Sequence, residues 1–133
     1  MSTHVFTYGS LMFAPVWERV VRGRYRQATA LLDQHARFAL VDDTYPGMVT
    51  TAGSSVTGVV YFDLDAADLA ALDHFEGNEY RRTPVMLRLE DGTALAAQTY
   101  LFEATARLSD QPWNPETFAM DRFLDSYCQD KLG

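Results

Sequence analysis

The chain has 133 residues, 47% hydrophobic and 13% aromatic, with a formal charge of −7 and a single cysteine. That length suits one domain, spanning 1–133, which buries roughly two-thirds of its unfolded surface without staples. The composition excludes a disordered chain, and the negative charge, with no cluster of Lys and Arg, argues against a nucleic-acid partner. Cys128 alone cannot close an internal disulfide, which fits a reducing compartment. Met1-Ser2-Thr3-His4 lacks the basic start of a signal peptide, and no apolar run approaches the roughly 20 residues that cross a bilayer. The expectation is a cytoplasmic protein without membrane contact, a monomer by default for this size and charge, with a homodimer as the alternative.

His4-Val5-Phe6-Thr7-Tyr8 is β-branched and aromatic and predicts a strand, ended by the turn signal Gly9-Ser10. From Ala14, Val16, Trp17, Val20 and Val21 recur at helical spacing behind Pro15, as far as Gly23. Arg24 to Leu40 predicts two short strands about a bend near Asp33-Gln34. Asp42-Asp43-Thr44-Tyr45-Pro46-Gly47 predicts a loop with Tyr45 held extended before proline. Met48-Val49 suggests a short strand, Ala52-Gly53-Ser54-Ser55 a turn, and Val56 to Leu64 a buried strand apolar on both faces. Asp65 is placed to cap a helix over Ala66 to Phe75, with Leu69, Leu72 and Phe75 on one face and Gly77 closing it. Tyr80 to Glu90 and Ala94 to Phe102 read as a hairpin about Asp91-Gly92. Pro115 starts a last helix whose core side is Phe118, Phe123, Leu124 and Tyr127. The order of elements, without repeats or linkers, predicts a sheet-rich α+β fold that can close as a small barrel.

Two stretches have the composition of a site. In Tyr8-Gly9-Ser10-Leu11, glycine permits close approach of a ligand to the backbone, and free N–H groups there suit a carboxylate or phosphate. An ordinary strand-to-helix turn explains the same residues, and the second glycine and lysine of a phosphate loop are missing. In Asp73-His74-Phe75-Glu76-Gly77-Asn78-Glu79-Tyr80-Arg81-Arg82, Glu76 ends a helix beside Asp73. Burial, the neighbouring carboxylate and the helix C-terminal dipole would all raise its pKa and suit it to proton transfer near neutrality. The competing reading is a surface salt bridge to Arg81 or Arg82.

Other candidates are weaker. His4, His35, His74 and Cys128 have no metal-ligand spacing. A Ser10-His74-Asp73 triad would need two consecutive helical residues to face the same point. Cys128 reads as a packed thiol, and Trp113 as a packing lid or the rim of a pocket. Glu79 reads as an ion-pair partner for an arginine, and Asp73 as structural or as tuning Glu76. Glu79, Glu90 and Asp91 would suit a cationic group, with a plain solvent-facing role for all three as the alternative.

Five pieces in order, over residues 5 to about 102, resemble the gamma-glutamylcyclotransferase-like superfamily, most closely its avirulence-induced-gene-like branch. They are Phe6-Thr7-Tyr8-Gly9-Ser10-Leu11-Met12, Tyr45-Pro46-Gly47-Met48-Val49, Val56-Thr57-Gly58-Val59-Val60-Tyr61, Leu72 to Arg82, and Ala97-Gln98-Thr99-Tyr100. The resemblance implies a small mixed β-barrel with flanking helices. It also implies conversion of a small gamma-glutamyl compound to 5-oxoproline with release of an amine or amino acid. In that reading Tyr8, Gly9, Ser10 and Leu11 hold the glutamyl end through backbone groups, gripping either the α-carboxylate or the developing oxyanion. Tyr80 matches an aromatic position near the pocket. Glu76 is the general base and then the acid, and no metal or organic cofactor is required. A binding module for an amino-acid-like metabolite, or a related amide hydrolase or acyltransferase, are the alternatives.

Overall fold

The computed structural model describes residues 3–41 and 43–132. Its strands are β1 (Thr3–Thr7), β2 (Gln27–Leu40), β3 (Pro46–Leu64), β4 (Tyr80–Leu89), β5 (Ala94–Phe102) and β6 (Leu108–Pro112). The first five close on themselves in the order β3-β1-β5-β4-β2 and back to β3, with β6 added outside β2. Among the described residues only the β1–β5 pairing is parallel, so the barrel is mixed, and closure gives each of the five strands a partner on both sides over part of its length.

Two of the expected turns lie inside long strands. The bend at Gln34 and the turn at Gly53 are facing irregularities in the β2–β3 pairing. Its register runs from Gln27↔Tyr61 to Asp33↔Ser55 and resumes at His35↔Thr50, so that β3 carries extra residues opposite Gln34. Gln34 (φ 63°) and Gly53 (φ 81°) both take left-handed backbone, and the Gly53 N–H donates to the Gln34 side chain at 3.1 Å. A bulge uses the same residues as a turn and re-aims the strand instead of reversing it. Short strands on either side therefore fuse into strands of 14 and 19 residues. β3 is also buried mainly on one face, with Thr57 and Asp63 exposed. β6 was not expected, because its Leu-Ser-Asp-Gln-Pro composition carries no strand signal. Asp42, part of the expected loop, lies outside the described residues.

The helices are α1 (Ala14–Val20), behind a 3₁₀ turn at Ser10–Met12, and α2 (Ala66–Glu76). The Asp65 side chain accepts from the Asp68 N–H, and Gly77 ends α2 with φ 76°. The last helix begins at Met120 and not at Pro115, which opens a separate 3₁₀ turn capped by Asn114. From Met120–Phe123 it passes through a π turn at Leu124–Cys128 to Gln129–Leu132, and is called α3 (120–132) below. Among the described residues no helix is long and apolar enough to cross a membrane.

Alternation along the strands builds two cores. Phe6, Leu32, Met48, Val60, Leu87 and Ala97 fill the barrel interior. Val5, Tyr61, Leu64 and Phe102, on the other faces, pack beneath α1, α2 and α3 with Trp17, Leu72, Phe75, Phe123 and Cys128. Trp17 stacks on Tyr61 with ring centroids 3.6 Å apart. The thiol is thus packed, as its place in an amphipathic helix suggested.

Candidate active site

Where these two cores meet, the end of β1, the following turn, the 45–46 loop, the C-terminal end of α2 and the 123–127 part of α3 surround an open cavity. It holds about 410 Å³, counting the solvent at its mouth. Tyr8, Gly9, Ser10 and Leu11 form one wall, and Glu76 and Tyr80 line the same cavity, so the six residues singled out from sequence are brought to one place. His4, His35 and His74 are not part of it.

The first wall is shaped by close packing. A Cβ on Gly9 would lie 2.8 Å from Pro46 Cγ, so glycine lets the turn sit against the 45–46 loop. The Gly9 carbonyl accepts from the Met12 N–H and the Ser10 carbonyl from the Phe13 N–H, both at 3.1 Å. The N–H groups of Gly9, Ser10 and Leu11 lie at the start of a helical turn, where no carbonyl is available one turn back, and they take no part in these turn bonds. The Ser10 hydroxyl has no hydrogen-bond partner among the described residues, although Ser10 is only 8% exposed.

Glu76 occupies the last turn of α2, where the helix dipole disfavours a negative charge. Burial pushes its carboxyl up to about 8; the Lys131 ammonium opposes the shift and Asp73 adds to it. The expected alternative, an ion pair with Arg81 or Arg82, is absent. Arg82 Nε lies 3.2 Å from Asp73 instead, and Asp73 also accepts from the Tyr100 hydroxyl at 2.7 Å. No side-chain bond to Glu76 is found among the described residues, yet none of their sealed polar side-chain atoms lacks a partner, so the carboxyl opens onto the cavity. Glu79 pairs with Arg107, which also meets Asp43, and this ties the 43–46 loop to the start of β4. Glu90 and Asp91 lie at the far, exposed end of the β4–β5 hairpin, remote from the cavity, so they give no support to a cationic leaving group.

Other tyrosine and phenylalanine rings line the cavity as well: Phe6, Tyr45, Phe75, Tyr100, Phe123 and Tyr127. The Tyr8 hydroxyl donates to the Tyr100 carbonyl at 2.6 Å, and the Tyr80 hydroxyl to the Pro46 carbonyl at 2.7 Å. Burial first, and then the Glu76 charge, hold the Tyr8 hydroxyl well above its ordinary pKa; Tyr80 is raised too, by burial and then by Tyr8 and Glu76. Burial likewise brings Tyr45 to about 12. All three stay neutral donors across the physiological range. Tyr45 and Tyr100 lie within stretches already singled out, but nothing in their spacing points into a pocket. Phe123 and Tyr127 had the i, i+4 spacing of one helix face, and their rings stack at 5.1 Å along the cavity wall. Trp113 is buried and donates to the Thr44 carbonyl at 2.9 Å; it packs behind the site and does not line it.

The structure is a closed mixed barrel with flanking helices, whose cavity is lined by a backbone turn, aromatic rings and one carboxyl. A family model described as "Gamma-glutamyl cyclotransferase, AIG2-like" matches residues 5–117, and the chain belongs to that family. Among curated relatives, "AIG2-like protein D" of Arabidopsis thaliana is 33% identical over 100 residues, covering 74% of this chain and 66% of its own. The chain spans 61–66% of the length of the curated relatives it matches. Among solved structures, an Arabidopsis thaliana protein studied in solution has TM-score 0.74 at 24% identity, covering 98% of this chain and 82% of that one. A structure titled "Gamma-glutamyl cyclotransferase" has TM-score 0.67 at 20% identity, covering 77% and 67% respectively. These two likenesses establish the fold.

Proposed function

We propose that the protein is a gamma-glutamyl cyclotransferase acting on a small gamma-glutamyl compound, with Glu76 as the catalytic acid–base. The observation that carries this reading is the Glu76 carboxyl, raised to about 8, unpaired, and open to the cavity that Tyr8 to Leu11 also line. Such a substrate carries its own nucleophile. Held folded, its α-amine reaches its γ-carbonyl, and proximity of this kind is worth up to ~7–11 kcal/mol of the barrier.

An α-ammonium has a pKa of about 8, so a carboxyl tuned to the same range exchanges a proton with it at little cost. The ammonium first loses one proton, through Glu76, to solvent; from the free amine the Glu76 carboxylate then takes a second as the nitrogen bonds to the γ-carbon. The carbonyl oxygen becomes an oxyanion, for which the free N–H groups at Gly9 to Leu11 and the Ser10 hydroxyl are suitable donors; they would suit the α-carboxylate equally. As the γ-carbon–nitrogen bond breaks, Glu76 returns the proton to the leaving nitrogen. The products are 5-oxoproline and a free amine or amino acid, with no water consumed. Tyr80 and the other rings shield the reaction from solvent. The residues used need neither metal nor organic cofactor, and one packed thiol is at home in a reducing cytoplasm.

The test is direct. The protein is incubated with γ-glutamyl dipeptides, γ-glutamyl amines and ε-(γ-glutamyl)lysine, and 5-oxoproline is quantified with and without Glu76→Gln. Release that depends on Glu76, without incorporation of labelled water into the glutamyl fragment, is the expected outcome. Incorporation of label would indicate an amide hydrolase. Ligand-induced stabilisation with no product from any compound would indicate a binding module.

A further inference from the structure

Behind the Tyr8–Leu11 wall lies a cation that the chemistry above does not use. Arg37, on β2, donates from Nη1 to the Tyr8 carbonyl at 2.7 Å and more weakly to the Thr57 carbonyl at 3.3 Å. Its guanidinium carbon lies 5.3 Å from the centroid of the Trp113 ring, and Trp113 is itself fixed by its bond to Thr44. Arg37 makes no ion pair among the described residues and is not among the residues lining the cavity, whereas Tyr8 and Gly9 are. It therefore grips the turn from the side away from the ligand space.

The consequence follows from peptide geometry. The Tyr8–Gly9 bond is trans, so its C=O and N–H point in opposite directions. Fixing the Tyr8 carbonyl on a guanidinium turns the Gly9 N–H the other way. That N–H has no acceptor among the described residues, and the neighbouring Ser10 hydroxyl, in a residue 8% exposed, has none either. A charge-assisted bond to a carbonyl is short and strong, and it polarises the peptide so that its N–H becomes a better donor. Burial lowers the Arg37 pKa from its ordinary value of 12.5, but the group remains cationic at any physiological pH.

We infer that Arg37, braced by Trp113, is a positioning residue that locks the Tyr8–Gly9 peptide so that the Gly9 N–H serves an anionic oxygen of the ligand. The inference rests on the reading that the Tyr8–Leu11 turn holds the glutamyl end. It also gives the buried Trp113, beyond the catalytic stretches, a task.

The full chain is labelled with ¹⁵N and titrated with 5-oxoproline, and the Gly9 amide resonance is followed in wild type, Arg37→Gln, Arg37→Lys and Glu76→Gln. The Gly9 amide is expected to move in wild type and in Glu76→Gln. Arg37→Gln should lose that response and bind about tenfold more weakly, and Arg37→Lys should recover part of it. Where turnover is measurable, kcat/KM of Arg37→Gln falls by a similar factor while its pH limb stays where wild type has it, because Glu76 is untouched; general damage to the site would move both. Wild-type affinity in folded Arg37→Gln, or a Gly9 amide indifferent to saturating 5-oxoproline, overturns the inference. If Arg37→Gln does not fold, undiminished affinity in Arg37→Lys does so instead. A wild-type protein whose Gly9 amide responds but which releases no 5-oxoproline sinks the cyclotransferase reading and leaves Arg37 its role. Normal turnover in folded Arg37→Gln does the reverse.

Discussion

Helix α2 carries a buried or half-buried carboxylate near each end, and the two have opposite fates. Asp68, in the first turn, is 4% exposed and fully engaged. Its oxygens accept from the Arg22 and Gly23 N–H groups at 2.9 Å and from the Tyr25 hydroxyl at 2.6 Å. Burial alone would push its pKa up, but these donors, with Arg22 nearby, bring it below the ordinary value. The helix N-terminus favours the negative charge there as well. Glu76, at the last position of the same helix, meets burial without donors and the unfavourable end of the dipole, and is raised to about 8. Burial does not distinguish a structural carboxylate from a reactive one; the supply of donors does. Asp68 ties α2 to the segment after α1, while Glu76 keeps its lone pairs for a substrate.

The largest effect is expected from neutralising Glu76. Glu76→Gln should lower 5-oxoproline release by about 10²–10⁴-fold, the usual worth of a general acid–base, without loss of stability. A carboxyl that ionises at about 8 when folded and near 4.5 when unfolded binds more protons in the folded state between those values. Wild-type stability should therefore fall as pH rises from about 4.5 to about 8, and the Gln variant should lack that slope. Equal pH slopes in the two proteins, measured by thermal melts, would show that Glu76 is not held in its neutral form. For activity, kcat/KM should rise with pH up to a limb near 8, since the base form is required; a flat profile between 6 and 9 counts against Glu76 as the base.

At the other end the expectation inverts. Asp68→Asn removes a charge that accepts three bonds and should cost about 3 kcal/mol of stability, with kcat per folded molecule within about twofold of wild type. Because the Asp68 pKa is lowered on folding, its contribution is present above the ordinary value of 3.8 and is lost as pH falls through the folded value. Chemical denaturation at pH 7 and at pH 3 tests both statements. A difference between variant and wild type that is as large at pH 3 as at pH 7 would assign the loss to packing and not to charge.

The asymmetry between the two ends was partly legible in the sequence. Glu76 stood out because glycine ends the helix beside it, and because Tyr8 to Leu11 and Tyr80 fall in recognisable stretches. The β-branched strands and the Asp91-Gly92 hairpin signal made most of the barrel readable. Asp68 did not stand out, because its donors come from residues 22, 23 and 25, and contacts over more than 40 positions leave no local pattern. The same cause hid the aromatic walls: Tyr127 reaches the Phe75 and Glu76 carbonyls across 50 residues of chain. The fused strands were missed for a different reason. A left-handed residue such as Gly53 marks a turn or a bulge equally well, and the difference is decided by whether the chain beyond it still has a partner to pair with.

The environment of Glu76 can also be altered without removing its carboxyl. Asp68 is surrounded by close donors, whereas the Lys131 ammonium influences Glu76 through space, with no ion pair between them. Its Nζ lies 5.5 Å from the centroid of the Tyr127 ring and 2.8 Å from where a Cβ on Gly77 would stand. Lys131→Met keeps the apolar stem and removes the charge. Without that cation the Glu76 pKa should climb further, so the rising limb of kcat/KM moves to higher pH. The rate at pH 7 should fall a few-fold, and the plateau above the limb should return to the wild-type value. Salt should weaken the difference, since a charge partly open to solvent is screened. A limb that stays put, or shifts to lower pH, would mean that solvent already masks Lys131, and the raised pKa of Glu76 would then rest on burial and Asp73 alone. A plateau that falls as well would instead indicate that Lys131 holds Tyr127 in place, because a purely electrostatic influence changes the fraction of base and not the reactivity of the base form.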